Sequence, residues 1–90
     1  MSTDLETRRK RATYRAQHRG TKEMDLLLGR YATARLEGMS EADLENFEQL
    51  LAEPDPTVQQ WIMDRQAIPD DRYAVLIASL KAFHELPARR

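Results

Sequence analysis

The side chains best suited to chemistry gather in one short stretch, His18-Arg19-Gly20-Thr21-Lys22-Glu23-Met24-Asp25, with Arg15 one helical turn upstream. A guanidinium, an imidazole and two carboxylates surround a glycine there. That set suits recognition: arginine presents a planar fork of donors, carboxylates accept, and glycine lets a second backbone come close. Catalysis would need more. Nucleophilic attack requires a nucleophile beside an orientable base. The chain has no cysteine. Ser2, Ser40 and Ser79 fall on a tail, a helix cap and a helix surface. His18 and His84 belong to different segments and lack an i, i+4 partner for zinc. Acid–base work by the many carboxylates would need a concave, partly dry pocket, and one Arg-Gly pair is not a phosphate loop. The expectation is a protein that is not an enzyme, with no catalytic, metal-binding or cofactor-binding residues.

Part of the stretch follows from local geometry alone. Gly20 suits the end of a helix, and Thr21 can cap the next one. Glu23 and Asp25 then complement that helix's dipole in its first turn. The corner therefore has two readings. It is a plain connection between helices, or it is a partner-binding surface made of Arg15, His18, Arg19, Gly20, Glu23 and Asp25.

The elements that must position this corner all carry the helical period. Met24, Leu27, Leu28, Tyr31 and Ala34 form one stripe. Gly38 ends that helix, and Ser40-Glu41-Ala42-Asp43 restarts the chain with a capping pattern ahead of Leu44, Phe47, Leu50 and Leu51. Pro54 closes this segment. Asp55-Pro56 reads as a cap followed by proline at the first helical position, ahead of Val58, Trp61 and Ile62. Pro69-Asp70 repeats the cap before Tyr73, Leu76, Ile77, Leu80 and Phe83. Upstream, Leu5 to His18 suits a helix whose core-capable residues are almost only Ala12, Tyr14 and Ala16. Gly29 breaks the second helix's propensity, and close helix–helix packing is its expected use. No strand alternation or internal repeat appears. The fold class expected is all-α, a small bundle of five helices in a single domain over residues 1–90, with residues 1–7 and 87–90 expected to be the least ordered.

Charge divides the chain unevenly. Residues 1–22 hold seven basic side chains against two acidic ones; residues 23–71 hold three against twelve; residues 72–90 return four against one. A basic arm on an acidic body orients the molecule on a charged partner. Arg8-Arg9-Lys10-Arg11 with Arg15 and Arg19 could also contact phosphates, so a small nucleic-acid-associated helical protein is the alternative reading. Against it stand the acidic body and the absence of base-reading Asn or Gln in residues 8–15. No apolar run approaches the roughly 20 residues of a membrane span. The N-terminus lacks the apolar stretch of a secretory signal, and it mixes Asp4 and Glu6 with its arginines, unlike a transit peptide. A bacterial cytoplasmic location is expected.

Two segments carry a family resemblance. Arg19-Gly20-Thr21-Lys22-Glu23 resembles the Arg-Gly-x-x-Glu signature of the succinate dehydrogenase assembly (flavinylation) factors. Leu50-Leu51-Ala52-Glu53-Pro54-Asp55-Pro56-Thr57-Val58-Gln59-Gln60-Trp61 is similar to the same family's Leu-Leu, acidic, Asp-Pro and Trp segment. The likeness covers about residues 8–83. His18 stands where relatives often have arginine, and Thr21 where they often have a long apolar residue. The resemblance implies a five-helix factor that binds the flavoprotein subunit of succinate dehydrogenase, and in some bacteria fumarate reductase. It implies that the factor promotes covalent attachment of FAD to a histidine of that partner. FAD would then be bound stably by the partner and not by this chain, which is expected to act as a monomer without nucleic acid or membrane insertion. Arg19, Gly20 and Glu23 are the signature residues carried over, with Asp25 beside them.

Overall fold

The computed structural model describes residues 2–86. Met1 and residues 87–90, among the termini whose order was in question, lie outside them. Five helices follow in chain order: α1 (Ser2–Gln17), α2 (Lys22–Arg35), α3 (Glu41–Leu51), α4 (Asp55–Ile62) and α5 (Asp71–Phe83). A short 3-10 turn, Leu36–Gly38, extends α2. The small all-α bundle is as the periodicity predicts, although α1 begins three residues earlier than Leu5.

α1 has little apolar surface, so it packs through small side chains. Ala12 and Ala16 are its buried residues. They lie against α2, where a Cβ on Gly29 would stand 3.1 Å from Gln17 Cγ and 3.3 Å from Gln17 Cα. Gly29 is therefore the expected close-packing glycine. This contact also turns the buried face of α2 towards Gly29 and Ala32, so Ala34, predicted to be inside, is exposed. Tyr14 is corrected in the same way. It is 62% exposed and stacks on His18, because α1 meets α2 through its alanine face and leaves no interior volume for a ring at position 14.

The remaining starts obey their caps, with one shift. Ser40 Oγ accepts from Asp43 N–H at 3.1 Å. Asp70 Oδ1 accepts from Arg72 N–H at 2.8 Å, and the Arg72 guanidinium, together with that backbone bond, holds the Asp70 carboxyl below the usual carboxylate range. At α4 the cap is Pro54, whose carbonyl takes the first helical bonds from Thr57 and Val58. Asp55 is thus already helical, and its side chain makes no capping bond. The predicted cap role is replaced by another, described below.

The core joins all five helices. Phe47 is fully buried beside Tyr31, with ring centroids 5.8 Å apart, and Tyr31 meets Phe83 edge-on at 5.7 Å. Trp61 packs on Tyr73 at 5.5 Å, and Leu50 and Leu51 are buried with it. The second matched segment therefore supplies core residues as well as the α3–α4 connection.

Candidate functional site

The α1–α2 connection is a four-residue turn, His18 to Thr21, and its bonds define its shape. α1 stops at Gln17. Gly20 comes three residues later with φ +118°, a backbone conformation that only glycine adopts without strain. Thr21 Oγ1 accepts from Met24 N–H at 3.3 Å and caps α2. Asp25, in the first turn of α2, reaches back to accept the Arg19 backbone N–H. The turn is closed from both sides.

Arg19 does not face outward. Its side chain is only 9% exposed. Nε donates to Asp55 Oδ1 at 2.7 Å, one terminal nitrogen donates to the Leu51 carbonyl at 2.6 Å, and the other donates to the Glu53 carbonyl at 3.0 Å. The latter nitrogen also lies 2.7 Å from Asp55 Oδ1. The guanidinium thereby satisfies carbonyls at the end of α3 that have no partner within the helix, where a cation is also favoured by the helix dipole. At the same time it neutralises the carboxylate at the start of α4. Sequence reasoning had offered this fork to a partner. In the structure the fork is engaged within the molecule, because burial of a guanidinium requires hydrogen-bonded neighbours and these three acceptors converge on it.

The other members of the set divide clearly. Gly20 and Glu23 are exposed, and Glu23 makes no hydrogen bond or ion pair among the described residues. Arg15 is likewise exposed and unpaired. His18 is exposed, stacked on Tyr14 with centroids 4.0 Å apart, and its Nδ1 sits 2.8 Å from the Tyr14 carbonyl oxygen. A carbonyl only accepts, so Nδ1 carries a proton and Nε2 is left facing away from that bond. Asp25 is half-buried and engaged with the turn. All six residues lie on or beside one corner, but two of them, Arg19 and Asp25, hold it from within.

Asp55 is the residue that sequence reasoning missed at this place. It was read as a helix cap, yet its side chain lies against the corner 36 residues away in sequence. The available signal was that the two family-like segments contain charged residues of opposite sign, Arg19 and Asp55. Glu53 has a second tie, its carboxylate accepting from the Tyr73 hydroxyl at 3.4 Å; burial, with that carboxylate nearby, pushes the Tyr73 phenol above its usual range.

The basic arm is partly folded in as well. Arg8 bonds Glu48 at 2.7 Å and Glu41 at 3.1 Å, pairs that raise its pKa further, and Arg9 donates to the Met39 carbonyl at 2.9 Å. Of the seven basic side chains before residue 23, Arg8, Arg9 and Arg19 are turned inward. Lys10, Arg11, Arg15 and Lys22 are left exposed, and the nucleic-acid alternative gains no support. Among the described residues no group of three or more His, Cys, Asp or Glu side chains could hold a metal ion, and no helix is long and apolar enough to cross a membrane.

Comparison with known proteins agrees with the two segments. A family model described as flavinator of succinate dehydrogenase matches residues 10–84. The chain belongs to this family. Within it, the chain is 36% identical over 69 residues to the FAD assembly factor SdhE of Acetobacter pasteurianus, covering 77% of this chain and 63% of that protein. It is 35% identical over 69 residues to the mitochondrial succinate dehydrogenase assembly factor 2 of Dictyostelium discoideum, covering 77% and 49%. A third relative, the same mitochondrial factor of Yarrowia lipolytica, is 43% identical over 58 residues, covering 64% and 40%. The chain thus spans between two fifths and just under two thirds of the length of these curated relatives. No solved structure matches. All three of these relatives are named assembly factors.

Proposed function

We propose that this chain is an assembly factor that docks, through the α1–α2 corner, on the flavoprotein subunit of succinate dehydrogenase and promotes covalent FAD attachment there. Fumarate reductase, where present, is a second client by the same surface. The observation that carries the reading is the Arg19 bracket. It ties both family segments into one place, and beside it stand an exposed glycine of positive φ and an unpaired glutamate. Contact falls to Gly20 and Glu23, with Arg15 and His18 flanking, while Arg19 and Asp25 hold the turn in shape.

Bond formation belongs to the flavin and the client's histidine, so the factor needs no acid–base residue. By binding more tightly to the client conformation in which histidine and flavin are aligned, it raises that conformation's population. Alignment of reacting groups lowers the barrier through the entropy already lost on docking. FAD stays with the client, and the factor acts as a monomer in a bacterial cytoplasm.

The test is coexpression of Gly20→Arg or Glu23→Ala with the client flavoprotein of the same organism, reading covalent flavin by its fluorescence in a denaturing gel. The wild-type factor should give a flavinylated client, and both variants, shown folded by circular dichroism, should leave it mostly unmodified. Full flavinylation with both folded variants would sink the proposal.

A further inference from the structure

The two oxygens of Asp55 have different surroundings. Oδ1 is held by Arg19 through Nε and a terminal nitrogen, both at 2.7 Å. Oδ2 has no hydrogen-bond partner among the described residues, and the side chain retains 18% of its exposure. Oδ2 also lies beside Gly20: a Cβ built on that glycine would stand 3.9 Å from it, within ordinary contact and with no nearer neighbour. A side chain at position 20 would therefore cover this oxygen. A carboxylate oxygen left open next to a glycine is a strong acceptor at a point where another backbone can approach.

We propose that Asp55 is a client-binding residue of the docking corner, its Oδ2 accepting an N–H donor that the client presents over Gly20. This rests on the docking reading above and adds to it a residue from the α3–α4 connection. Arg19 is then a positioning residue. It fixes one oxygen of Asp55, so the carboxylate cannot rotate and the other oxygen stays aimed along Gly20. Together with Glu23, the corner presents two acceptors to the client, which defines the complementary surface as rich in donors. The glycine has two uses at once: its backbone adopts φ +118°, and its missing side chain keeps Oδ2 open.

Asp55→Asn separates contact from fold. The amide oxygen takes the Oδ1 place, because the Arg19 donors select an acceptor, and the NH2 group is forced into the Oδ2 place. Arg19 keeps its partner, while the outward acceptor becomes a donor facing the client's donor. Binding of purified client flavoprotein should weaken about ten- to a hundredfold, a range set by the loss of a charge-assisted hydrogen bond and the clash of two donors. Asp55→Ala should weaken binding at least as much and also lower the melting temperature, since it leaves Arg19 without its carboxylate. Glu23→Ala, measured in parallel, keeps the two ideas distinguishable. If Asp55→Asn binds like wild type while Glu23→Ala is weakened, Asp55 only staples the fold and the inference is overturned with the docking reading intact. If both bind like wild type, the docking reading itself falls. A salt titration identifies the donor: an Asp55→Asn defect that shrinks as salt rises indicates a client lysine or arginine, and a salt-independent one indicates a backbone amide.

Discussion

The arginines at the two ends of the stretch 8–19, in the middle of α1 and just past its last residue, both turn inward, yet only one end makes a candidate site. At the N-terminal end Arg8 meets Glu41 and Glu48 on α3, and Arg9 meets the Met39 carbonyl. Glu41 is 72% exposed, so much of that pairing is solvated and screened. At the C-terminal end Arg19 is buried among two carbonyls and one carboxylate. That bracket leaves an exposed glycine, an unpaired Glu23 and an open Asp55 oxygen on the outside. The difference is that a buried cation orders its neighbours, and ordered neighbours can present free acceptors in a fixed geometry. A count of arginines would have ranked the wrong end first.

Substitution at Arg19 should break the comparison most visibly. Arg19→Ala leaves a half-buried carboxylate and two carbonyls without their donor, a loss of about 3 kcal/mol. A domain of this size holds only about 5–10 kcal/mol in total, so the midpoint of thermal unfolding should fall by roughly 12–20 °C. A drop of under roughly 3 °C would mean that the bracket does not hold the corner, and the two ends of the 8–19 stretch would be alike.

Gly29→Ala tests the same end from the α2 side. The new methyl meets the Gln17 backbone at 3.3 Å, at the point where α1 hands the chain to the corner. Overpacking of about 2 kcal/mol exceeds the ~1 kcal/mol gained in helix propensity. Net destabilisation of about 1 kcal/mol in urea melts is expected, and a gain in stability would show that α1 and α2 can separate without strain.

The smallest effect belongs to the other end. Arg8→Gln should lower the melting temperature slightly at low ionic strength, and the difference from wild type should vanish near 1 M salt, where the screening length is about 3 Å. A salt-independent loss of the size seen with Arg19→Ala would erase the distinction between the ends.

Much of this was legible beforehand because it is local. The caps at Ser40 and Asp70 follow from side chains acting on backbone within a few residues. So does the stripe of Leu44, Phe47, Leu50 and Leu51, whose period survives in the buried set of α3. Tyr14 and Ala34 were misplaced because their exposure depends on which face of α1 meets α2, and periodicity of one helix does not contain that. Arg19 was misread for a related reason: its acceptors come from residues 51, 53 and 55, more than thirty positions away.

Local patterns along the chain set the five helices, most of their ends, the polarised charge and the composition of the corner, including a glycine and acids at a helix start. Those properties depend on contacts of short range along the chain. Which members of the corner face inward and which face out is set by the packing of the helices. Burial of the Arg19 guanidinium is stable only where α3 ends and α4 begins, and that place exists only once the helices have packed. The same packing brings Asp55 to Gly20 and turns two separate segments into one surface.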